Sequence, residues 1–247
     1  MKPLNVFGIT HRGAVRNENQ DRLRFSLMGG GELLTAVLCD GMGGAQAGSV
    51  ASSIAADTFM SHAANSLDES STPSDMHMIL TEAVNYANIK VYDRAFADFA
   101  CMGMGSTLVG LQINGKRASV VNVGDSRAYL IGKRRITQIT RDHSLVEDMV
   151  SRGKITRAQA QNHPQKNIIT RAVGVEASVS SDLFDIKLSS GNRILLCSDG
   201  LSNLVSAEEM LMISGNNPEP EKACNALLEL ALKRGAPDNV SVLIAER

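Results

Sequence analysis

The sequence predicts an α+β protein built in layers, and three observations carry that reading. Two helical stretches joined by a polar loop precede a run of short strands. The links between those strands are too short for parallel crossovers, so the strands pair antiparallel. Further helices follow near the C-terminus, and this grouping argues against a Rossmann alternation of strand and helix.

Gln46 to about Ala64 sets Val50, Ala51, Ile54, Ala55 and Phe59 at helical spacing. Ser74 to about Phe99 does the same with Ile79, Ala83, Ala87, Val91 and Ala95, and the polar Asp68–Pro73 stretch joins the two as neighbouring helices. Strands are expected at Thr107–Ile113, Arg117–Val123, Arg127–Ile131 and Arg135–Ile139, in one antiparallel sheet linked by Asn114-Gly-Lys and Gly132-Lys. Ser206-Ala-Glu-Glu209 is a capping box that opens another helix. Glu219 to Arg234 supplies the last one, with Ala223, Leu227, Leu230 and Ala231 on one face.

One stretch differs from its surroundings. Ser144-Leu-Val-Glu147 and Thr156-Arg-Ala-Gln159 are two capping-box patterns, each opening only a short helix, with Gly153 between them. The segment, at about 143–170, is polar and inserted between strands. Two readings stand side by side: a surface helical excursion and a substrate-facing flap.

At 247 residues the chain can bury a large core, and one domain over 1–247 is expected. A net charge of −1 offers no electrostatic attraction for nucleic acid. No apolar run reaches the ~18 residues of a membrane span, and Met1–Gly13 shows no secretory signal. Cys39, Cys101, Cys197 and Cys224 are widely spaced with no C-x-x-C pair, which opposes a zinc or redox signature. Cys39 and Cys197 lie in strand-like apolar runs and read as small buried hydrophobes, and a reducing compartment fits best.

The chemistry resides in four aspartates. Asp40, Asp125 and Asp199 each follow a β-branched or apolar run beside a glycine, and Asp238 stands just before such a run. That layout throws carboxylates off strand ends, with the adjoining glycines expected to let the backbone turn sharply. Carboxylates gathered in one place repel unless a cation lies between them, and oxygen donors without thiolate or imidazole suit Mg2+ or Mn2+ and not Zn2+. Arg16, in GAVRNENQDRL, is the candidate phosphate fork. The chain has no G-x-x-x-x-G-K-[ST] loop and no G-x-S-x-G elbow, which opposes P-loop nucleotide hydrolysis and serine hydrolysis.

Six ordered segments carry a resemblance: Arg16-Asn-Glu-Asn-Gln-Asp21, Asp40-Gly-Met-Gly-Gly44, Gly103-Met-Gly-Ser-Thr107, Val123-Gly-Asp-Ser-Arg127, Ser198-Asp-Gly200 and Asp238-Asn239. With Asp142-His143 and Asn167-Ile-Ile-Thr-Arg171 as flap region and return, they span roughly 13–242. The chain resembles bacterial protein serine/threonine phosphatases of the metal-dependent 2C class, the PPM family. The resemblance implies a four-layer αββα sandwich, with two central antiparallel sheets flanked by helix pairs. It implies hydrolysis of phosphoserine and phosphothreonine by a water activated at a dinuclear Mg2+ or Mn2+ centre, without a covalent phosphoenzyme.

By position, Asp40 would bridge both ions and the Gly41 carbonyl would bind one of them, while Asp199 and Asp238 would hold the other. Asp125 would complete a third, weaker site, Asp21 would anchor metal-bound water, and Arg16 would grip the phosphate. Arg152, Lys154 and Arg157 are the expected substrate-binding residues of the flap. Expected partners are phosphoprotein substrates and a cognate Ser/Thr kinase, with no nucleic acid and no membrane, for a cytoplasmic monomer in signal transduction. One departure stands out. Many members place a His within or just after the D-G motif, and this chain has Met42 and Ala45 there. A catalytically silent phosphoprotein-binding module and a two-metal phosphodiesterase are the competing classes; intact acidic residues oppose the first and balanced charge the second.

Overall fold

The computed structural model describes residues 3–247, apart from the side chains of residues 45 and 46. Strands β1 (Asn5–His11), β2 (Asp21–Met28) and β3 (Leu33–Met42) lead into two long helices, α1 (Gly44–Ser66) and α2 (Pro73–Ala97). Next come β4 (Gly105–Ser106), β5 (Leu108–Asn114), β6 (Arg117–Val123), β7 (Arg127–Ile131) and β8 (Ile136–Gln138). The inserted segment carries α3 (Leu145–Ser151) and α4 (Arg157–Gln161), and β9 (Asp182–Lys187) and β10 (Arg193–Cys197) follow it. The chain finishes with α5 (Asp199–Ser202), α6 (Ala207–Asn216), α7 (Pro220–Lys233) and β11 (Val240–Glu246).

Local chemistry sets the helix starts. Thr72 and Asp75 form a reciprocal capping box ahead of α2, with Pro73 in its first turn, and Ser206 and Glu209 do the same for α6. Thr156 and Gln159 complete a box on α4. Ser144 makes only half of one: its hydroxyl accepts from the Glu147 N–H, but the Glu147 carboxylate turns away to Arg141 and Arg157. A distant cation outcompetes the local cap.

Two antiparallel sheets form the centre, one ordered β1-β11-β10-β7-β8 and the other β2-β3-β5-β6-β9, with β4 on β3. The single sheet expected over 107–139 is therefore a correction, because β5 and β6 belong to one sheet while β7 and β8 belong to the other. The chain crosses between sheets at Gly124–Ser126. Gly124 has φ 106°, a conformation costly for any residue with a side chain.

Alternation along β3 shows the layering. Val37 and Cys39 pack with Ala51, Ala55 and Phe59 of α1 and Leu80, Ala83 and Ala87 of α2. Leu34, Ala36 and Leu38 face the opposite way, against Ile194, Leu196, Leu243 and Ala245 of the other sheet. That sheet turns Leu195, Cys197, Val242 and Ile244 toward Met210 of α6 and Ala223, Leu227 and Ala231 of α7. The order is helices, sheet, sheet, helices. A strand buried on both faces is largely apolar, which is why β3, with Thr35 and Asp40 its only polar side chains, lacks the polar alternation of a solvent-facing strand.

Candidate active site

The sandwich brings four strand ends to one cavity. Asp40 lies near the end of β3, and its register partner at the start of β2 is Asp21. Asp199 opens α5 directly after β10, Asp238 stands two residues before β11, and Asp125 occupies the β6–β7 crossing. Arg16, Asp40, Gly41, Asp125, Asp199 and Asp238 line a cavity of about 620 Å3, joined there by Asn167 and Ile169 from the end of the inserted segment. Asp21 is buried rather than part of the lining.

The glycines beside the acids serve differently from the expected sharp turn. Among the described residues the positive-φ glycines include Gly124 but neither Gly41 nor Gly200. A Cβ on Gly41 would collide with the Gly48 carbonyl oxygen at the start of α1, and one on Gly200 with the Asn239 carbonyl oxygen. Their absent side chains let two backbone segments touch behind the acids.

A set of hydrogen bonds that sequence reading left without roles holds the carboxylates in place. The Asp40 N–H donates to Thr107 Oγ1 at 2.9 Å, and the Thr107 N–H and Ser106 Oγ donate to the Asp40 carbonyl at 2.8 and 3.0 Å. Thr107 and Ser126 hydroxyls meet at 2.8 Å, linking Asp40 to the Asp125 turn. Asp21 Oδ2 accepts from Ser198 Oγ at 2.8 Å and Ser241 Oγ at 2.6 Å. Asn239 accepts from the Gln20 N–H and donates to the Arg12 and Glu18 carbonyls, pinning the loop that carries Arg16. His143 Nδ1 accepts from the Gly124 N–H at 3.1 Å while the His143 backbone N–H donates to the Gly124 carbonyl at 2.9 Å. Ser106, Thr107, Ser198 and Asn239 stood inside the quoted motifs, which was the only signal for them.

Burial and mutual repulsion make the site hungry for positive charge. Burial raises Asp40 well above the carboxylate range, and Asp21, Asp199, Asp125 and Asp238 add to it. Burial pushes Asp21 up to about 7, offset in part by Ser241 and Ser198. Asp125 also rises to about 7, through burial first and then Asp199 and Asp142. Asp199 is raised by burial and by Asp238. Asp21 Oδ1 and Asp199 Oδ1 are buried without a hydrogen-bond partner. Orphaned acceptors in a crowd of carboxylates fit hard divalent cations. Among the described residues, no three His, Cys, Asp or Glu side chains close into a ready-made cage. Mg2+-type ions do not require one, since they keep several waters and take one or two carboxylates each.

The predicted cations fall less tidily. Arg16 reaches the rim of the cavity, where its Nη2 pairs with Asp238 Oδ2 at 2.9 Å. Arg157 lines an adjoining cavity that also contains Asp125 and Asp199, but its guanidinium is bidentate on Glu147 at 3.1 and 3.2 Å. Arg152 and Lys154 are exposed and line neither cavity.

Comparison with known proteins identifies the family. The Protein phosphatase 2C family profile matches residues 10–217. A serine/threonine phosphatase stp of Listeria monocytogenes is 34% identical over 96% of this chain and 94% of its own length. PstP of Mycobacterium tuberculosis, a serine/threonine protein phosphatase, is 38% identical over 95% of this chain and 43% of its own. Among solved structures, Stp1 from Staphylococcus aureus superposes with a TM-score of 0.92 at 34% identity, covering 100% of this chain and 96% of that one. The catalytic domain of PstP in complex with two manganese ions superposes at 0.83 and 36% identity, covering 98% and 97%. The chain belongs to the protein phosphatase 2C family. It is an enzyme of the protein serine/threonine phosphatase type, which sets aside the silent binding module and the phosphodiesterase.

Proposed function

We propose that this phosphatase removes phosphate from phosphoserine and phosphothreonine in proteins at a dinuclear Mg2+ or Mn2+ centre seated in the 620 Å3 cavity. The observation that carries the reading is the ring of raised carboxylates with orphaned buried oxygens. Asp40 and the Gly41 carbonyl would serve one ion, with Asp40 shared, and Asp199 and Asp238 the other. Asp125 would serve a third and weaker one. Bound there, such ions would supply an activated water and offset the charge of the phosphoryl group. Asp21, held by Ser198 and Ser241, keeps its free oxygen fixed beneath the site. Met42 cannot donate a proton to the leaving oxygen. The test is phosphate release from phosphothreonine peptides with Mn2+ and with chelator. Release only with Mn2+ is expected, and equal release under both conditions refutes the reading.

Arg16 is assigned to the phosphate, although in this structure it rests on Asp238. The pair is half exposed, so it contributes about 0–1 kcal/mol and is readily exchanged for a phosphate oxygen. Arg16→Ala is expected to raise KM roughly ten- to a hundredfold, the cost of one charge-assisted contact, with bound metal retained. Lys should rescue only in part, lacking the planar fork. Lost metal in calorimetry of Arg16→Ala would show that the residue serves Asp238 instead.

The segment 143–170 is read as the flap that meets phosphoprotein substrates, within one phosphatase domain over 1–247. Replacing Arg152, Lys154 and Arg157 by Ala should reorder activity among phosphopeptides more than it changes turnover of a small aryl phosphate. Equal effects on both substrate types would make the segment structural. The wider setting proposed is a cytoplasmic monomer opposing a Ser/Thr kinase; all four cysteines are free and buried, as a reducing compartment allows. Among the described residues no helix is long and apolar enough to cross a membrane.

A further inference from the structure

A second cavity, of about 280 Å3, adjoins the carboxylate site and is lined by no residue of α3 or α4. Met42 and Ile169 line both, so the two cavities meet at these apolar residues. Ala172, Val175 and Val179 contribute the remaining apolar wall. At this size it is smaller than the ~300–1,000 Å3 pockets that take whole small ligands, and suits one or two side chains.

The walls are built in advance. Val173 exchanges both backbone hydrogen bonds with Ser106, at 2.8 and 3.0 Å. The buried Asn88 of α2 accepts from the Gly174 N–H at 2.7 Å and donates to the Glu176 carbonyl at 3.0 Å, clamping the turn between them. Val179 packs against the core beneath α1 and α2. Met42 Cε and Val175 Cγ2 converge over Gly105, where an added Cβ would lie 2.8 and 2.7 Å from them. Despite this scaffolding Val175 remains 48% exposed. A rigid turn that holds a valine open beside a catalytic cavity has the form of a subsite.

We propose that this second cavity receives an apolar side chain of the phosphoprotein substrate, one or two residues from the phosphorylated one. Resting on the phosphatase reading, the inference adds what the enzyme selects. The occupant follows from continuity: a chain whose phosphate sits among the carboxylates passes Met42 and Ile169 next, and successive residues advance ~3.3–3.6 Å. The rim defines the chemistry further. Arg171 is already paired with Asp182 at 3.0 Å, whereas the Glu176 carboxylate has no partner among the described residues. An acidic side chain would meet that like charge while the Arg171 guanidinium beside it is already engaged, so Leu, Met or Val is favoured over Asp or Glu.

The experiment measures kcat/KM on phosphothreonine peptides carrying Leu, Ala or Glu at each of the two positions before and after the phosphoresidue, beside a small aryl phosphate. The expected result is a preference of roughly tenfold or more for Leu over Ala at one position, with Glu poorest. Val175→Asp, on an exposed residue, should reduce that Leu/Ala ratio to about one and leave aryl phosphate turnover unchanged; Val175→Ile should keep the ratio. No position preferring Leu, or a Val175→Asp variant that slows Leu and Ala peptides equally, overturns the subsite while leaving the phosphatase reading intact. Absence of Mn2+-dependent aryl phosphate hydrolysis in the unmodified enzyme overturns both.

Discussion

Asp40→Asn, Asp199→Asn and Asp238→Asn are each expected to lower hydrolysis of an aryl phosphate by more than roughly 100-fold, beyond what loss of a supporting contact produces. Each exchange keeps the shape of the side chain and removes the charge that would hold an ion. The metal-free fold should not suffer, because burial and mutual repulsion already raise Asp40 and Asp199. The pH dependence has a definite sign. Asp21 and Asp125, raised to about 7, bind protons in the folded state that the unfolded chain has released above about pH 4. The stability they permit is therefore full below that value and is lost as pH rises through about 7. Metal-free protein should melt lower at about pH 8 than at about pH 5, Mn2+ should reverse this at the higher pH, and Asp40→Asn should flatten the dependence. Near-wild-type turnover in all three variants would sink the metal-site assignment, and a melting temperature that rises with pH in chelator would contradict the electrostatics.

Gly41→Ala and Gly200→Ala carry the second largest expected effect. Neither position demands a left-handed backbone, so the cost is one of space. The new methyl group would overlap the Gly48 carbonyl in one case and the Asn239 carbonyl in the other, and backbone cannot rotate away as a flexible side chain can. Overpacking of this kind costs about 1–3 kcal/mol, which lowers Tm by roughly 2–12 °C at this chain length. Activity should fall further than stability. In Gly200→Ala the displaced segment carries Asp238 and the Asn239 clamp on the Arg16 loop. Gly215→Ala is the control: apart from its own helical turn nothing lies within 4 Å of its added Cβ, so it should be neutral or gain up to about 1 kcal/mol. Melting curves and turnover of the three variants check the contrast. Equal behaviour of Gly41→Ala and Gly215→Ala would remove close approach as the reason for glycine in the D-G motif.

Much of the architecture was legible in the chain. The helices at 44–66 and 73–97, the antiparallel hairpins and the start of α6 follow from apolar spacing, short links and capping residues within a few positions of one another. The acidic residues were legible as strand-end motifs, and the structure gathers Asp40, Asp125, Asp199 and Asp238 around one cavity with Arg16 at its rim. The flap cations were less so: Arg157 pairs with Glu147, a partner ten residues away that its capping pattern did not indicate.

What the sequence determined by itself was the kind of each element and the set of groups able to do chemistry, since both depend on neighbours along the chain. Only the tertiary structure decided that β6 and β7 part into different sheets and that Gly41 and Gly200 are contact points rather than turns. It likewise decided that Ser198 and Ser241 hold Asp21 and that a second cavity opens beside Met42. Ser241 lies 220 residues from Asp21, and no periodicity spans such a distance. Which hydroxyl meets which carboxylate is set when two apolar sheet faces pack and fix the strand ends beside one another.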